Sequence, residues 1–256
     1  MIITTAGRTS RDMTIRAKEM AKKYNIPYVS RDGISITKLK DLHKKDIVVV
    51  GRDGLSISPL SADISLFFHP NLAMVRAKRL LQGEEDPFIS VAGLRPGKSL
   101  LDCTLGLASD SIVASLVVES NGSVVGVEGN PSLYLLAKEG LSTFHSGRDA
   151  FDRAMRNVHV VHRDHLRFLK ETEDDAFDVV YFDPMFTTGV KTSEGINAIR
   201  TLALQSELTD ELIHEAKRVA RERVVLKDHW KSDRFKNLGF VQHRRKTSLF
   251  HYGTIE

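Results

Sequence analysis

The chain has 256 residues, 41% of them hydrophobic and 27% charged, a globular composition that excludes a disordered or low-complexity protein. Its longest apolar stretch, residues 112–118, falls far short of the roughly 20 residues needed to span a bilayer, and one cysteine, Cys103, excludes an intrachain disulfide framework. The net charge of +4 gathers early: residues 1–70 carry twelve Lys and Arg against seven Asp and Glu, whereas residues 71–256 carry 25 against 26.

An excess of +5 on seventy residues fits a polyanion-binding unit and fits a solvated surface equally well. The opening MIITTAGRTSRD has neither an apolar signal core nor a transit-peptide composition, so a cytoplasmic protein is expected. After an apolar run at residues 1–4, Met13, Ala17, Met20, Ala21 and Tyr24 fall on one helical face. Residues 26–29 read as a strand, Ile36, Leu39 and Leu42 mark a short helix, and residues 47–50 form a further strand ended by the turn 51–54. This is a small α/β unit, expected over 1–58. A connecting segment, 59–97, carries a helix around residues 72–81 and ends in the turn Leu-Arg-Pro-Gly at 94–97.

From Lys98 the pattern becomes regular. Strands at 99–102, 123–127, 158–161, 177–182 and 223–227 alternate with helical periods at about 109–119, 131–144, 149–156 and 208–220, which implies a parallel sheet with crossover helices over 98–256. The chain closes with two strands, 239–243 and 248–252, that no helix separates.

In an open parallel sheet, ligands bind beyond the carboxyl ends of the strands, where strand order reverses. The first strand ends in LDCTLGLASD (101–110), where Gly106 and Ala108 are small enough for close backbone approach and Ser109 and Asp110 open the next helix. The second ends in GVEGN (126–130), placing Glu128 22 residues after Gly106, near the spacing at which a carboxylate receives two ribose hydroxyls. The third ends in HRDH (162–165), with Asp164 able to accept from an adenine amine; a helix cap is the plainer reading of such an acid. A dinucleotide site would need G-x-G-x-x-G against a pyrophosphate, whereas this turn has one glycine, and Asp110 would repel phosphate. The fourth strand delivers DVVYFDPMF (178–186), an Asp-Pro-x-aromatic sequence, to the same edge.

On residues 101–110, 178–186 and 223–227 (RVVLK) the chain resembles class I S-adenosylmethionine-dependent methyltransferases, and more closely the bacterial 16S ribosomal RNA guanine-(N2) methyltransferases of family J, over residues 98–256. The resemblance implies a Rossmann-like α/β fold: a seven-stranded, mostly parallel sheet with a terminal antiparallel hairpin, beside a small N-terminal α/β domain. It implies S-adenosyl-L-methionine as cofactor, held along Asp102, Thr104 and Gly106, with Ser109 and Asp110 at its methionine end, Glu128 and Gly129 at its ribose, Asp164 and His165 on its adenine side, and Asp183 facing the methyl donor. The implied partner is RNA, ribosomal or in the small subunit. The chain departs from the family before the first strand, at Phe67-Phe-His-Pro70 and Arg76-Ala-Lys-Arg79, and after Phe186; nucleic-acid contacts are expected in these places.

An exocyclic base amine is a poor nucleophile because its lone pair is delocalised into the ring. A site that methylates it must align the nitrogen and accept its hydrogens as conjugation is lost. Asp183 offers a carboxylate, Pro184 a backbone carbonyl without a competing N–H, and Phe186 a stacking face for a displaced base. Trp230 reads equally as a second platform or as an anchor for the last hairpin, and residues 187–195 as a lid or a plain loop. Cys103 reads as a core residue, and the ten histidines show no metal-binding pairing, so no metal is expected. The competing readings are a nicotinamide-dependent oxidoreductase, a methyltransferase acting on a small molecule or another RNA base, and a non-enzymatic RNA-binding assembly protein.

Overall fold

A computed structural model describes residues 1–184 and 208–256. The N-terminal unit contains β1 (Ile2–Thr5), α1 (Arg11–Tyr24), α2 (Ile36–His43), β2 (Ile47–Val50), β3 (Leu55–Ser58) and β4 (Leu66–Phe67). Its sheet runs β1-β2-β3-β4, with β1 and β2 parallel and the remaining pairs antiparallel. α1 starts where Ser10 accepts the Met13 N–H and stops at Asn25 in the left-handed region, burying Met13, Ala17 and Ala21. The strand expected over 26–29 reduces to a single bridge between Ile3 and Tyr28. Pro27 gives its carbonyl to the Ile3 N–H but has no N–H of its own, so the ladder cannot extend. Past residue 58 the sheet continues into β4, whose Leu66 pairs with Ile57.

α3 (Asn71–Leu81) and α4 (Pro87–Ala92) follow, the latter capped by Asp86, which accepts the N–H groups of Phe88 and Ile89. The larger sheet is built from β5 (Ser99–Asp102), β6 (Ser123–Glu128), β7 (Val158–His162), β8 (Phe177–Phe182), β9 (Ala220–His229), β10 (Val241–His243) and β11 (Phe250–Ile255), in the order β10-β11-β9-β8-β5-β6-β7. β11 is antiparallel to both of its neighbours, and the pairings from β9 through to β7 are all parallel. This is the Rossmann-like sheet with a terminal antiparallel hairpin that the sequence implied. The crossovers are α5 (Ser109–Val118), α6 (Pro131–Thr143), α7 (Asp149–Asn157), α8 (His165–Lys170) and α9 (Asp210–Val219), and α10 (Arg234–Asn237) precedes the hairpin.

Alternation along each strand divides the interior. On β8, Val179 and Tyr181 join Phe88, Ile112 and Met155 on one face, while Val180 and Phe182 join Leu169, Leu212 and Ala216 on the other. The N-terminal sheet does not stand apart. Ile3, Val48 and Ile57 share a core with Leu135 and Leu136 of α6, and Phe68 lies so close to Gly140 that a Cβ there would collide with its ring. Ser132 reaches Asp46 at 2.7 Å, and Lys23 reaches Glu139 at 2.7 Å. Strand order reverses at β5, which has β6 on one side and β8 on the other, so a ligand crevice lies above Asp102, between Gly126 and Tyr181.

Candidate active site

Backbone geometry shapes the β5–α5 turn. Gly106 (φ 53°) and Ala108 (φ 63°) both occupy the left-handed region, and a Cβ on Gly106 would meet nothing nearer than the Thr104 carbonyl at 3.9 Å. The turn therefore leaves an open cradle beside Gly106. Glu128, at the end of β6, closes it: one carboxylate oxygen accepts the Gly106 N–H at 3.0 Å and the other the Asn130 N–H at 2.8 Å. With the Gly129 N–H also directed at it, the carboxylate keeps acceptor capacity for a further donor. Burial raises the Glu128 pKa, and the backbone N–H groups oppose that rise.

Asp102 is buried beneath the turn. It accepts from the Thr104 N–H at 3.0 Å and from the Ser111 hydroxyl at 2.7 Å, and burial pushes its pKa up to about 7 against those bonds. The Thr104 hydroxyl meets the Asp183 N–H at 2.6 Å and so ties the first strand's turn to the fourth strand's end.

Asp183 sits at the end of a chain of charges that links β8 and β9 to α5, α3 and the cap of α4. Its Oδ2 accepts from Lys227 Nζ at 2.6 Å, and the same ammonium lies 3.1 Å from Asp110 Oδ2. Asp110 Oδ2 also accepts from the buried Tyr181 hydroxyl at 2.9 Å, and its Oδ1 pairs with Arg76. Arg76 then forks onto Asp86 at 2.7 and 2.8 Å. Burial alone would raise the Asp110 pKa, but Lys227 and Arg76 overcome it and hold the carboxylate well below its ordinary range. Burial opposes the charge on Lys227, yet Asp110 and Asp183 hold it protonated. For Asp183 the balance falls the other way: burial raises it to about 6, with Lys227 pulling down and Asp110 pushing up. Its Oδ1 is buried without a hydrogen-bond partner among the described residues. Pro184 follows, buried.

The turn thus brings Asp102, Thr104, Gly106, Glu128 and Asp183 to one edge, as the sequence motifs placed them. Gly129 adjoins them, its carbonyl 3.3 Å from His162 Nε2. Asp110 is turned inward, both oxygens taken by Arg76, Tyr181 and Lys227, while its neighbour Ser109 is half-buried. Asp164 is exposed and caps α8 through the Arg167 N–H at 3.0 Å, the plainer of its two readings. His165 is buried, its Nδ1 3.2 Å from the Cys103 carbonyl, and burial lowers its pKa. Phe186 and residues 187–195 lie outside the described residues.

The expected nucleic-acid contact at Arg76 is corrected. This guanidinium is half-buried between two carboxylates, because Arg76 lies three residues past Ala73, on the side of α3 that faces the interior. Neither Lys227 nor Tyr181 stands out in the sequence as a site residue. The available signal was a lysine ending the otherwise apolar run RVVLK, since a charge at the end of a buried strand needs a partner. Among the described residues, no His, Cys, Asp and Glu cluster could hold a metal, and no helix is long and apolar enough to cross a membrane.

Residues 39–246 match the SAM_MT family of SAM-dependent methyltransferases. The uncharacterized protein YpiP of Bacillus subtilis (strain 168) is 46% identical over 255 residues, covering 100% of this chain and 99% of its own length. Ribosomal RNA small subunit methyltransferase J of Haemophilus influenzae is 29% identical over 132 residues, half of each chain. A solved SAM-dependent methyltransferase of Neisseria gonorrhoeae shares the fold with a TM-score of 0.62 at 15% identity, over 99% of this chain and 95% of its own. With the crevice at the β5 switch point and a family match spanning most of its length, the chain belongs to the SAM-dependent methyltransferases, with S-adenosyl-L-methionine as cofactor.

Proposed function

We propose that this methyltransferase modifies the exocyclic amine of a guanine in ribosomal RNA. The observation that carries the reading is Asp183: its backbone is tied to Thr104 and its Oδ2 to Lys227, which leaves Oδ1 as an acceptor without a partner among the described residues, directly before Pro184. A fixed, unpartnered acceptor is what an amine with two hydrogens needs, and the Pro184 carbonyl would serve as the second. The similarity to ribosomal RNA small subunit methyltransferase J, though limited to half of each chain, supports RNA as the substrate class.

The donor set fits the cofactor. Glu128 would take the ribose hydroxyls while still braced by Gly106 and Asn130, and the open cradle at Gly106 would admit the rest of the nucleoside. When bound, the cofactor supplies an electrophilic sulfonium methyl. Asp183 Oδ1 and the Pro184 carbonyl hold the amine hydrogens and direct the nitrogen lone pair; Asp183 in its ionised form stabilises the positive charge that grows on nitrogen. Lys227 keeps that carboxylate ionised and in place. Phe186 would stack on the displaced base, and the basic N-terminal unit would hold the RNA backbone. Mass spectrometry of ribosomal RNA nucleosides, from cells with and without the chain, tests the reading. Loss of one N2-methylguanosine supports it, and an unchanged methylated-nucleoside profile overturns it.

A further inference from the structure

The balance of 25 Lys and Arg against 26 Asp and Glu over residues 71–256 conceals a local excess: residues 229–249 hold six basic residues and a single acidic one, Asp233. These residues run from the end of β9 through α10 and β10 to the turn before β11. Phe250 pairs with His229 and Tyr252 with Lys227, so the turn at 244–249 stands on the carboxyl edge of the sheet, the edge that carries Asp183. Trp230 lies three residues past Lys227, about 10 Å along the strand direction.

The patch has the composition of a stacking platform. Trp230 is 43% exposed, and Lys231 Nζ lies 4.8 Å from its ring centroid. Arg244, Arg245 and Lys246 are exposed on the adjoining turn. The platform is fixed in place. The Trp230 N–H bonds the Leu249 carbonyl at 3.0 Å, its carbonyl accepts from Gln242 at 2.9 Å, and the Arg245 N–H meets buried His251 Nε2 at 3.1 Å. The nearby buried Asp228 pairs with Arg234 at 3.1 Å and cancels that one charge, which leaves Lys231, Lys236 and the 244–246 turn to carry the excess.

We propose that Trp230 and the Arg244–Arg245–Lys246 turn form a docking surface for single-stranded RNA flanking the target base, with a base stacked on the indole and phosphates along the turn. The inference rests on the RNA reading above and adds a surface to it. Phosphate neutralisation asks for clustered exposed cations and single-strand capture for an exposed aromatic face; both meet here on the reacting edge. A partner offering only carboxylates would have no use for the exposed indole.

Trp230 is the chain's one tryptophan, so its emission reports the platform directly in the unmodified protein. The expected result is quenching by a single-stranded RNA of about 10 nucleotides, with little by the same sequence as a duplex. Affinity, followed by anisotropy of labelled RNA, should weaken with salt and fall at least about tenfold in R244E/R245E/K246E, with S-adenosylmethionine affinity unchanged. RNA binding by anisotropy with Trp230 emission unmoved overturns this surface and leaves the RNA reading standing. No RNA binding by either signal overturns both. Quenching by polyglutamate as strong as by RNA assigns the patch to an acidic protein and overturns it as an RNA surface.

Discussion

Asp183 lies between two opposing influences, and its protonation is the most direct handle on the reaction. Burial raises its pKa to about 6, and in the proposed reaction the ionised form would stabilise a growing ammonium. The single-turnover rate should therefore be flat above that pH and fall as pH drops through about 6, approaching tenfold per unit below it. Lys227→Met removes the cation that favours the carboxylate, so the acid limb should move to higher pH. Asp102, pushed up to about 7 by burial, bonds Ser111 and Thr104 and not Lys227, so a limb that ignores Lys227→Met would belong to it instead. Asp183→Asn keeps the shape and loses the charge. Turnover should drop by about 10²-fold or more in single-turnover assays, while cofactor affinity by calorimetry stays near that of the parent. Glu128→Ala should act on binding, weakening S-adenosylmethionine at least about tenfold by calorimetry, because it removes charged hydrogen bonds and the brace on Gly106 together. An unchanged affinity would place the ribose elsewhere. At this scale the sequence was partly legible. Strand ends and spacing single out Gly106 and Glu128, 22 residues apart, as site residues; their bond to each other, 3.0 Å, comes only from the fold. Lys227 ends the motif RVVLK with no role legible there, since the partners that give it one are residues 110 and 183.

Among the elements, α3 holds more than its sequence suggests. A basic helix preceding the first strand of the large sheet invites an RNA-binding reading, and Arg79, paired with Glu84 at the surface, suits that picture. Arg76 does not, because the pitch of the helix sets it beside Ala73 and Ala77, against Asp86 and Asp110. Removing this partner leaves buried carboxylates uncompensated, so Arg76→Met should cost about 3–5 kcal/mol in urea unfolding. Arg76→Lys should recover only part of that, since an ammonium cannot reproduce the fork onto Asp86. A variant as stable as the parent would show the network to be incidental. The strand expected at 26–29 fails for a similarly local reason: its residues are apolar, but Pro27 denies the ladder a donor, and only tertiary pairing with Ile3 exposes the shortfall.

For the whole molecule, the packing of the N-terminal unit alters how its function can be tested. The sequence reading treats residues 1–58 as a basic unit separable from the rest, yet Leu135 and Leu136 of α6, each 1% exposed, complete its core. Cutting the unit away would bare both, at a cost of about 1.5–3 kcal/mol each in lost burial. A truncated chain is therefore expected to melt well below the parent in a thermal scan, and a loss of RNA affinity in it would report instability as much as contact. Charge reversal at exposed lysines such as Lys22 and Lys45 leaves that core intact; it should weaken RNA binding and flatten its salt dependence.

What the amino-acid order determines by itself is local and periodic. Alternating strands and helices from residue 98, a single-glycine turn and an Asp-Pro at a strand end are written in consecutive residues, and they suffice for a parallel sheet with its chemistry on the carboxyl edge. What only the tertiary structure decided is which charges meet. The chain from Asp86 through Arg76, Asp110 and Lys227 to Asp183 joins residues up to 151 positions apart in sequence. No periodicity encodes such a set, because each member looks like an ordinary surface charge until folding removes the water around it. Desolvation then makes every unpaired charge costly, and the sheet's strand order, by setting β8 between β5 and β9, determines which partners are within reach.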